Sequence, residues 1–582
     1  MKKKETSEKK DTSDLLHEFR IAFSYLPDQK KYIRLILVPM FLIGVILFIM
    51  PLINAQVRIL PLDINPLIFQ MGGGICIIIG ILYPYISWKN NEADINGKIH
   101  FFITHLRVLV ISDLSLKEII HIIGGNKAYG SLGEEMRKIS VLSDQWHVPL
   151  SKSFLFTSKR TPSKILKDFL DRFSQSMNSG VDPREFIETE QDAVLEEYKT
   201  MYETSNDNIT ILNEVYVSLL ISIIFVMSLG IVLPIVIGSN DMNTFVYISS
   251  FLLIISEGLL LYLLYTMVPP DPIWHVTGEK SKNEKQMGYL FSLSIIMVVA
   301  LGSFFCILNL LNITFIQMIP FEIICAITAT PLALPGLKTY TLEKKISRKE
   351  RNFLSFLPSL GSISTMRGGK INESVYYLSS KDYGVLTGHI KDLYKRLRTR
   401  INDNSSWDWF GVDTGSNYIQ RSSEMFRQAT AASANPRDAA RMISENIRKI
   451  RDLRVKKLSV VNTSAALFIG ITFGIAFSAY TSLVIAEHLN GILLEGIGGD
   501  PFSGTNIDIG SILTSMAPQV FTNMYIIIFF VLLIHSVMMA LTIRTLRGSH
   551  IMISFLYVVP FIWVVAVTAV GITVFLGGYL GM

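Results

Sequence analysis

Charge is scarce in this 582-residue chain: Asp, Glu, Lys and Arg make up 18% of it, against about a quarter in ordinary soluble domains. Half of its residues are hydrophobic and its mean hydropathy is +0.39, which excludes a soluble multidomain enzyme. Cysteine is nearly absent. Cys76, Cys306 and Cys325 all fall in apolar runs, and none has a Cys or His at ligand spacing. Zinc sites, iron–sulfur clusters and a disulfide framework are therefore not expected, and the three read as small packing residues.

The usual catalytic motifs are missing too. Gly368-Gly-Lys370 has neither the spacing nor the hydroxyl of a phosphate-cradling loop, and Gly72-Gly-Gly74 lies in an apolar run where it predicts close helix packing. The ten histidines form no His-x-x-x-His pair, and His100 and His105, five residues apart, lie on different helix faces. No nucleophile elbow occurs. Trp407 and Trp409 stand near basic residues, but bundle packing explains them better than base stacking. The sequence thus predicts no catalytic residue, cofactor or metal, and no nucleic-acid partner.

What the chain has in abundance is long uncharged runs. Windows at 33–53, 67–88, 214–238, 244–268, 287–311, 313–337, 458–485, 519–541 and 551–577 give nine candidate spans. No small-residue cleavage pattern follows the first run, so it reads as a retained span. The segments 1–32, 89–213, 269–286, 338–457 and 542–550 carry 8, 15, 3, 24 and 2 Lys and Arg residues. The opposite side has only Arg58. Positive-inside bias then places the N-terminal tail 1–32 and both large regions in the cytoplasm and the C-terminus outside. The expected order is a hairpin at 33–88, a domain at 89–213, four spans at 214–337, a domain at 338–457, and three spans at 458–582. Within the last part, 486–518 reads as an acidic external loop holding Glu487, Glu495, Asp500 and Asp508.

The two cytoplasmic regions differ in charge, with 15 bases against 18 acids in 89–213 and 24 against 12 in 338–457. The cluster Lys391, Lys395, Arg396, Arg398 and Arg400 lies far from either flanking span, which favours a partner surface over simple membrane proximity. Both regions show helical periodicity, as in Ile165, Leu166, Phe169, Leu170 and Phe173. Thr161-Pro-Ser163 predicts a helix start, Ser179-Gly180 its end, and Asp182-Pro183 the next start. An internal repeat links them. Asn126-Lys-Ala-Tyr-Gly-Ser-Leu132 is echoed by Ser380-Lys-Asp-Tyr-Gly-Val-Leu386, Glu118 by Glu373, and Val181-Asp-Pro-Arg-Glu185 by Ala434-Asn-Pro-Arg-Asp438. The offsets are 254, 255 and 253, which predicts a duplicated unit in parallel orientation. Two carboxylates, Glu257 and Glu322, fall inside spans and are candidate intramembrane functional residues, while Pro234, Pro320, Pro331 and Pro335 are candidate kinks.

Several stretches resemble the archaellum assembly protein J family (FlaJ/ArlJ). Thr161-Pro-Ser-Lys-Ile-Leu-Lys-Asp-Phe-Leu170, Ser179-Gly-Val-Asp182, Tyr198, Tyr202-Glu203 and Glu214-Val-Tyr-Val-Ser-Leu219 look like its first type II secretion F domain. Phe353–Arg367 with Leu360-Gly-Ser, Lys381-Asp-Tyr-Gly384, Ile390-Lys-Asp-Leu-Tyr394 and Ala439-Ala-Arg-Met-Ile-Ser-Glu-Asn-Ile447 are similar to its second. The segment Arg400–Asp413, rich in Asn, Ser and Trp, departs from the pattern. The resemblance implies an all-α polytopic membrane protein with about nine transmembrane helices and two duplicated helical-bundle F domains. It also implies a non-enzymatic platform for the archaeal motility filament. Such a platform engages a hexameric secretion ATPase (FlaI-like) with its RecA-like associate (FlaH-like) and couples their motion to archaellin insertion and filament rotation.

Lys391, Lys395, Arg396, Arg398, Arg400, Arg448, Arg451 and Arg454 are the candidate ATPase-docking residues, by charge complementarity. Self-association into a homo-oligomer is compatible with this reading. Two alternatives stand beside it: the platform of an adhesive type IV pilus or related secretion system, and a secondary transporter using Glu257 and Glu322.

Overall fold

The computed structural model describes residues 22–23, 25, 29–57, 66–237, 242–311, 318–399, 402–498 and 518–580. Among them every regular element is helical, apart from one isolated bridge between Trp274 and Ser416. Nine helices of the described residues are long and apolar enough to cross a bilayer, and each overlaps one of the nine expected spans.

The first span is α1 (Val38–Val57), entered through a π-helical turn at Ile33–Leu37. It packs on α2 (Pro66–Val110), which continues well beyond the apolar run. Four shorter helices follow: α3 (Leu116–Gly125), α4 (Ser131–Asp144), α5 (Leu150–Ser158) and α6 (Lys164–Asn178). The chain re-enters the spans along α7 (Pro183–Ile237) and continues through α8 (Met242–Met267) and α9 (Lys282–Leu310). The sixth span is interrupted, with α10 (Phe321–Ala329) joined by a 3₁₀ turn at Thr330–Leu332 to α11 (Ala333–Met366). A second set of short helices comprises α12 (Ile371–Ser379), α13 (Thr387–Arg398), α14 (Asp403–Thr414) and α15 (Asn417–Ala431). Then come α16 (Pro436–Gly498), α17 (Pro518–Arg547) and α18 (Ser554–Leu580).

Local chemistry explains these limits. Ser163 caps α6 by accepting the Leu166 N–H at 3.2 Å, Gly180 takes φ +77° just past its end, and α7 starts at Pro183, all as the sequence predicts. Proline supplies no N–H. Pro320 precedes α10, Pro331 lies in the 3₁₀ turn and Pro335 in the first turn of α11, so the span breaks there, whereas Pro234 sits inside an unbroken α7. The expected start of this span at 313 lies outside the described residues, which omit 312–317, and the described helix begins at Phe321.

The positions 88, 213, 337 and 457, read as domain limits, all fall within single helices: α2, α7, α11 and α16. At 55 residues α7 is about 80 Å long, at 1.5 Å per residue. The expected external loop also differs from what is seen. Residues 486–498 continue α16, with Glu487 accepting the Tyr525 hydroxyl at 3.0 Å, because Leu483, Val484 and Ala486 still bury against the neighbouring spans. Residues 499–517, with Asp500 and Asp508, lie outside the described residues, as does the side chain of Glu495.

The order of elements from α2 to α7 recurs from α11 to α16: a long helix, a short one, a 3₁₀ turn, three helices and a second long one. Gly130 and Gly384, 254 apart, both take positive φ, at 53° and 57°. Asp182 and Asn435, 253 apart, each accept the N–H two residues on, at 2.9 and 3.0 Å, in front of a helix-starting proline. The helices α7 and α16 lie side by side. Glu203 pairs with Lys456 at 2.9 Å, Asp192 with Lys449 at 3.4 Å, Asn213 Nδ2 donates to Ser464 at 2.7 Å, and Ser228 meets Ser478 at 2.8 Å. Acids of the first half thus face bases of the second, which uses part of their opposite charge imbalance.

The two bundles share one apolar core in which Phe102, Phe169 and Tyr198 cluster with Phe353, Phe410 and Phe426. Trp407 belongs to it, and Trp409 lies partly exposed beneath Arg396. A second core joins α7, α8, α16, α17 and α18 through Tyr216, Leu253, Phe468, Tyr480, Phe529 and Phe561. The α1–α2 pair approaches closely at Gly73, where a Cβ would lie 2.5 Å from the Gly44 carbonyl oxygen, whereas Gly72 and Gly74 face open space. Gly73→Leu is expected to force these helices apart and cost about 1–3 kcal/mol, read as a lowered unfolding midpoint in detergent.

Candidate functional site

The connection from α8 to α9 is the point where bundles and spans meet. Pro269, Pro270 and Pro272 stiffen it, and it runs as a strap between three elements. Ile273 N–H donates to Gly548 O, His275 N–H to Gly415 O, and Asn417 N–H to Ile273 O, each at 3.1 Å. Gly548, in the α17–α18 turn, has φ +65°, and a Cβ there would lie 2.3 Å from the Asp271 carbonyl oxygen. Glu343 of α11 secures the far side, accepting Trp274 Nε1–H at 3.1 Å, Ser549 Oγ–H at 3.0 Å and His550 N–H at 3.2 Å.

Under the strap lies a buried charge cluster. Arg454 of α16 grips Asp271 with two nitrogens, Nε at 2.7 Å and Nη2 at 2.5 Å, and reaches Glu350 of α11 at 3.4 Å. Tyr418 Oη–H donates to Asp271 at 3.0 Å while its ring lies 4.0 Å from the Arg454 guanidinium. Ser416 Oγ–H donates to Glu350 at 2.6 Å. Burial pushes the Asp271 carboxyl up, but Arg454 and its hydrogen bonds win and hold it at about 2. Glu350, held at longer range, is pushed up by burial against the pull of Arg454. Burial lowers the Lys457 ammonium to about 8 and the His100 imidazole to about 3. His100 and His105 are both core residues, the latter meeting Tyr129 at 2.9 Å.

The expected docking residues separate into different environments. Lys391, Lys395 and Arg398 stand exposed on one face of α13, at i, i+4 and i+7. Arg396 is half-buried and paired with Asp413 at 2.5 Å. Arg448 is exposed and Arg451 half-buried on α16, and Arg400 lies outside the described residues. Arg454 is not on that surface. It is 8% exposed and committed to Asp271 and Glu350, so it is a junction residue rather than a docking one.

Within the spans, Glu257 of α8 is fully buried and hydrogen-bonds His535 Nδ1 of α17, whose Nε2 meets Thr472 Oγ1 of α16 at 3.0 Å. Glu322 lies apart, half-buried in the first turn of α10 near Tyr480 and Tyr525. Glu257 and Glu322 are therefore not brought together. Sequence reasoning missed His535, 278 residues from Glu257, and it missed the strap. The available signal for the strap was Pro-Pro-Asp-Pro in so short a connection.

Comparison with known proteins gives this geometry a family. The model described as type II secretion system (T2SS), protein F, matches residues 102–231, from α2 through the first bundle into the membrane part of α7. A flagella accessory protein J from Methanococcus voltae is 34% identical over 500 residues, covering 84% of this chain and 86% of its own. Its namesake from Methanocaldococcus jannaschii is 33% identical over 505 residues, covering 85% and 87%. The chain belongs to the flagella accessory protein J family. No solved structure matches it. As a member of that family it is a multi-pass membrane protein, and the strap and its charge cluster join the membrane core of this family member to its bundles.

Arg454→Met would leave two buried carboxylates without their cation, which costs about 3–5 kcal/mol and should appear as a lowered midpoint; adding Asp271→Asn should recover part of it. Lys457 gives a pH signature. Its folded value of about 8 lies below the 10.5 of the free side chain, so its contribution is full above 10.5 and lost as pH falls to 8. Stability of the native protein relative to Lys457→Met should rise across that window, measured by denaturant unfolding.

Proposed function

We propose that this protein is the membrane platform of an archaellum, a non-enzymatic component that receives a cytoplasmic secretion ATPase and passes its motion to filament subunits in the membrane. The observation that carries this reading is mechanical. Helices α2, α7 and α16 pass from bundle to span without a break, α11 joins its span across the 3₁₀ turn, and the strap clamps the second bundle to the α17–α18 turn. A displacement applied to the bundles therefore reaches the spans through continuous helices rather than flexible linkers. Membership of the flagella accessory protein J family and the type II secretion protein F match support the same reading.

The N-terminus and both bundles are assigned to the cytoplasm and the C-terminus to the exterior, on the distribution of Lys and Arg. The two bundles are read as copies of one F domain, supported by the recurring element order and the paired glycine and Asx-Pro positions. A hexameric ATPase with its RecA-like associate would act on the bundles, and archaellins would enter beside the spans. Hydrolysis in the ring would then drive insertion and later rotation.

Crosslinking in native membranes followed by mass spectrometry tests this. Recovery of a secretion ATPase with archaellins is expected. Pilins with a different ATPase would instead assign the platform to an adhesive pilus, and recovery of neither would overturn the reading.

The docking surface is assigned to Lys391, Lys395 and Arg398 on α13, together with Arg448 on α16 and the flanking Arg396, Arg400 and Arg451. The triple reversal Lys391→Glu, Lys395→Glu and Arg398→Glu should cut ATPase recovery at least about tenfold without moving the unfolding midpoint, because these side chains stand in solvent. Undiminished recovery would remove this surface from the proposal.

A further inference from the structure

The corner between α4 and α5 carries features that neither the platform reading nor the family match uses. The excursion begins at α2, where Ser131 N–H donates to Asp94 at 2.9 Å, and it returns to α2 where Ser163 Oγ–H donates to Asn96 at 2.6 Å. Between these points the chain travels back along α2 towards the end of the second span. Glu135 accepts the Tyr25 hydroxyl at 2.7 Å, and the Tyr25 ring meets Trp88 edge-on at 4.8 Å. Tyr25 precedes the first span and Trp88 closes the second, which is where aromatic side chains mark a bilayer interface.

A cavity of about 670 Å³ opens at this level, lined among others by Tyr25, Trp88, Leu142, Trp146 and Arg160. Two large aromatic side chains project from the corner: Trp146 is 72% exposed and Phe156 45%. His147 takes a positive φ of 52° at the bend beside Trp146. Exposed aromatic surface of this kind on an otherwise well-packed bundle marks a contact face. The charges around the cavity do not cancel. Lys138 is paired with Glu135 and Arg137 with Glu134, but Lys159 and Arg160 have no ion pair among the described residues. The Arg160 guanidinium lies 4.0 Å from the Phe156 ring, its charged edge free for an anion.

We propose that this groove binds the phosphate-bearing headgroup of an anionic bilayer lipid, with Lys159 and Arg160 on the phosphate and Trp146 and Phe156 in the interface. The lipid chains follow the outer face of the α1–α2 hairpin, where Ile78, Ile81 and Leu82 are exposed. Bases near a membrane surface attract anionic lipid, and aromatic rings fix the depth of insertion. The site goes beyond the platform reading and requires neither an ATPase nor a particular sidedness.

The test uses the full chain in nanodiscs of phosphatidylcholine with or without phosphatidylglycerol, and native mass spectrometry to count retained lipid. Wild type should retain phosphatidylglycerol at least about tenfold better than Lys159→Glu/Arg160→Glu, the effect expected from losing two interfacial bases. The variant should keep the wild-type unfolding midpoint, since both side chains are exposed. Brominated lipid should quench a fluorescence component that Trp146→Phe removes. Equal retention in the charge-reversal variant, or a Trp146 component insensitive to brominated lipid, would overturn the proposal. Displacement of the lipid by millimolar inorganic phosphate would also overturn it, by making free phosphate the ligand.

Discussion

Arg454 holds Asp271 in a place where little water reaches, and most of the architecture can be understood from the cost of separating them. Each charge loses several kcal/mol of hydration on burial, and the pair is tolerable only because nearly every lone pair and N–H around it is used. Asp271 comes from the strap, Arg454 from the second unit's return helix, Glu350 from its entry helix and Tyr418 from a short bundle helix. Moving any of these elements alone would strand a charge. The strap, the bundles and the α17–α18 turn therefore behave as one piece, although they come from distant parts of the chain.

The membrane core uses a milder form of the same device. Apolar helices in lipid gain little from the hydrophobic effect on meeting one another, so small residues and polar pairs decide which faces match. Asn213 with Ser464, Ser228 with Ser478, and Glu257 with His535 and Thr472 are placed at such meetings. All of them lie among α7, α8, α16 and α17. Outside this core, α1 packs on α2, and α9 packs on α10 and α11, leaving broad apolar faces to lipid.

Much of the fold was legible because its signals are local. Ser163, Ser179-Gly180 and Asp182-Pro183 set helix ends within a few residues, and twenty apolar residues in a row can do little but span a membrane. The glycines of the sequence repeat were legible too, and Gly130 and Gly384 both take the positive φ that such positions favour. The positions 213 and 457, read as domain limits, fall inside helices for a physical reason: hydropathy changes there, but helix propensity does not, so α7 and α16 run on. The docking set shows the other weakness of a linear reading. Arg398 and Arg454 look alike as bases in a basic region, yet one faces solvent and the other is buried.

By itself the sequence determined the all-helical class, the nine apolar spans and the two polar helical regions between them, since periodicity, hydropathy and capping act over a handful of neighbouring residues. Tertiary structure alone decided which charges are surface and which are structural, which helix meets which, and that a proline-rich connection is the clamp of the molecule. Those outcomes rest on partners such as His535 for Glu257 and Arg454 for Asp271, separated by 278 and 183 residues. A contact of that span leaves no periodic trace in the chain; it exists only once the helices have packed and the water has gone.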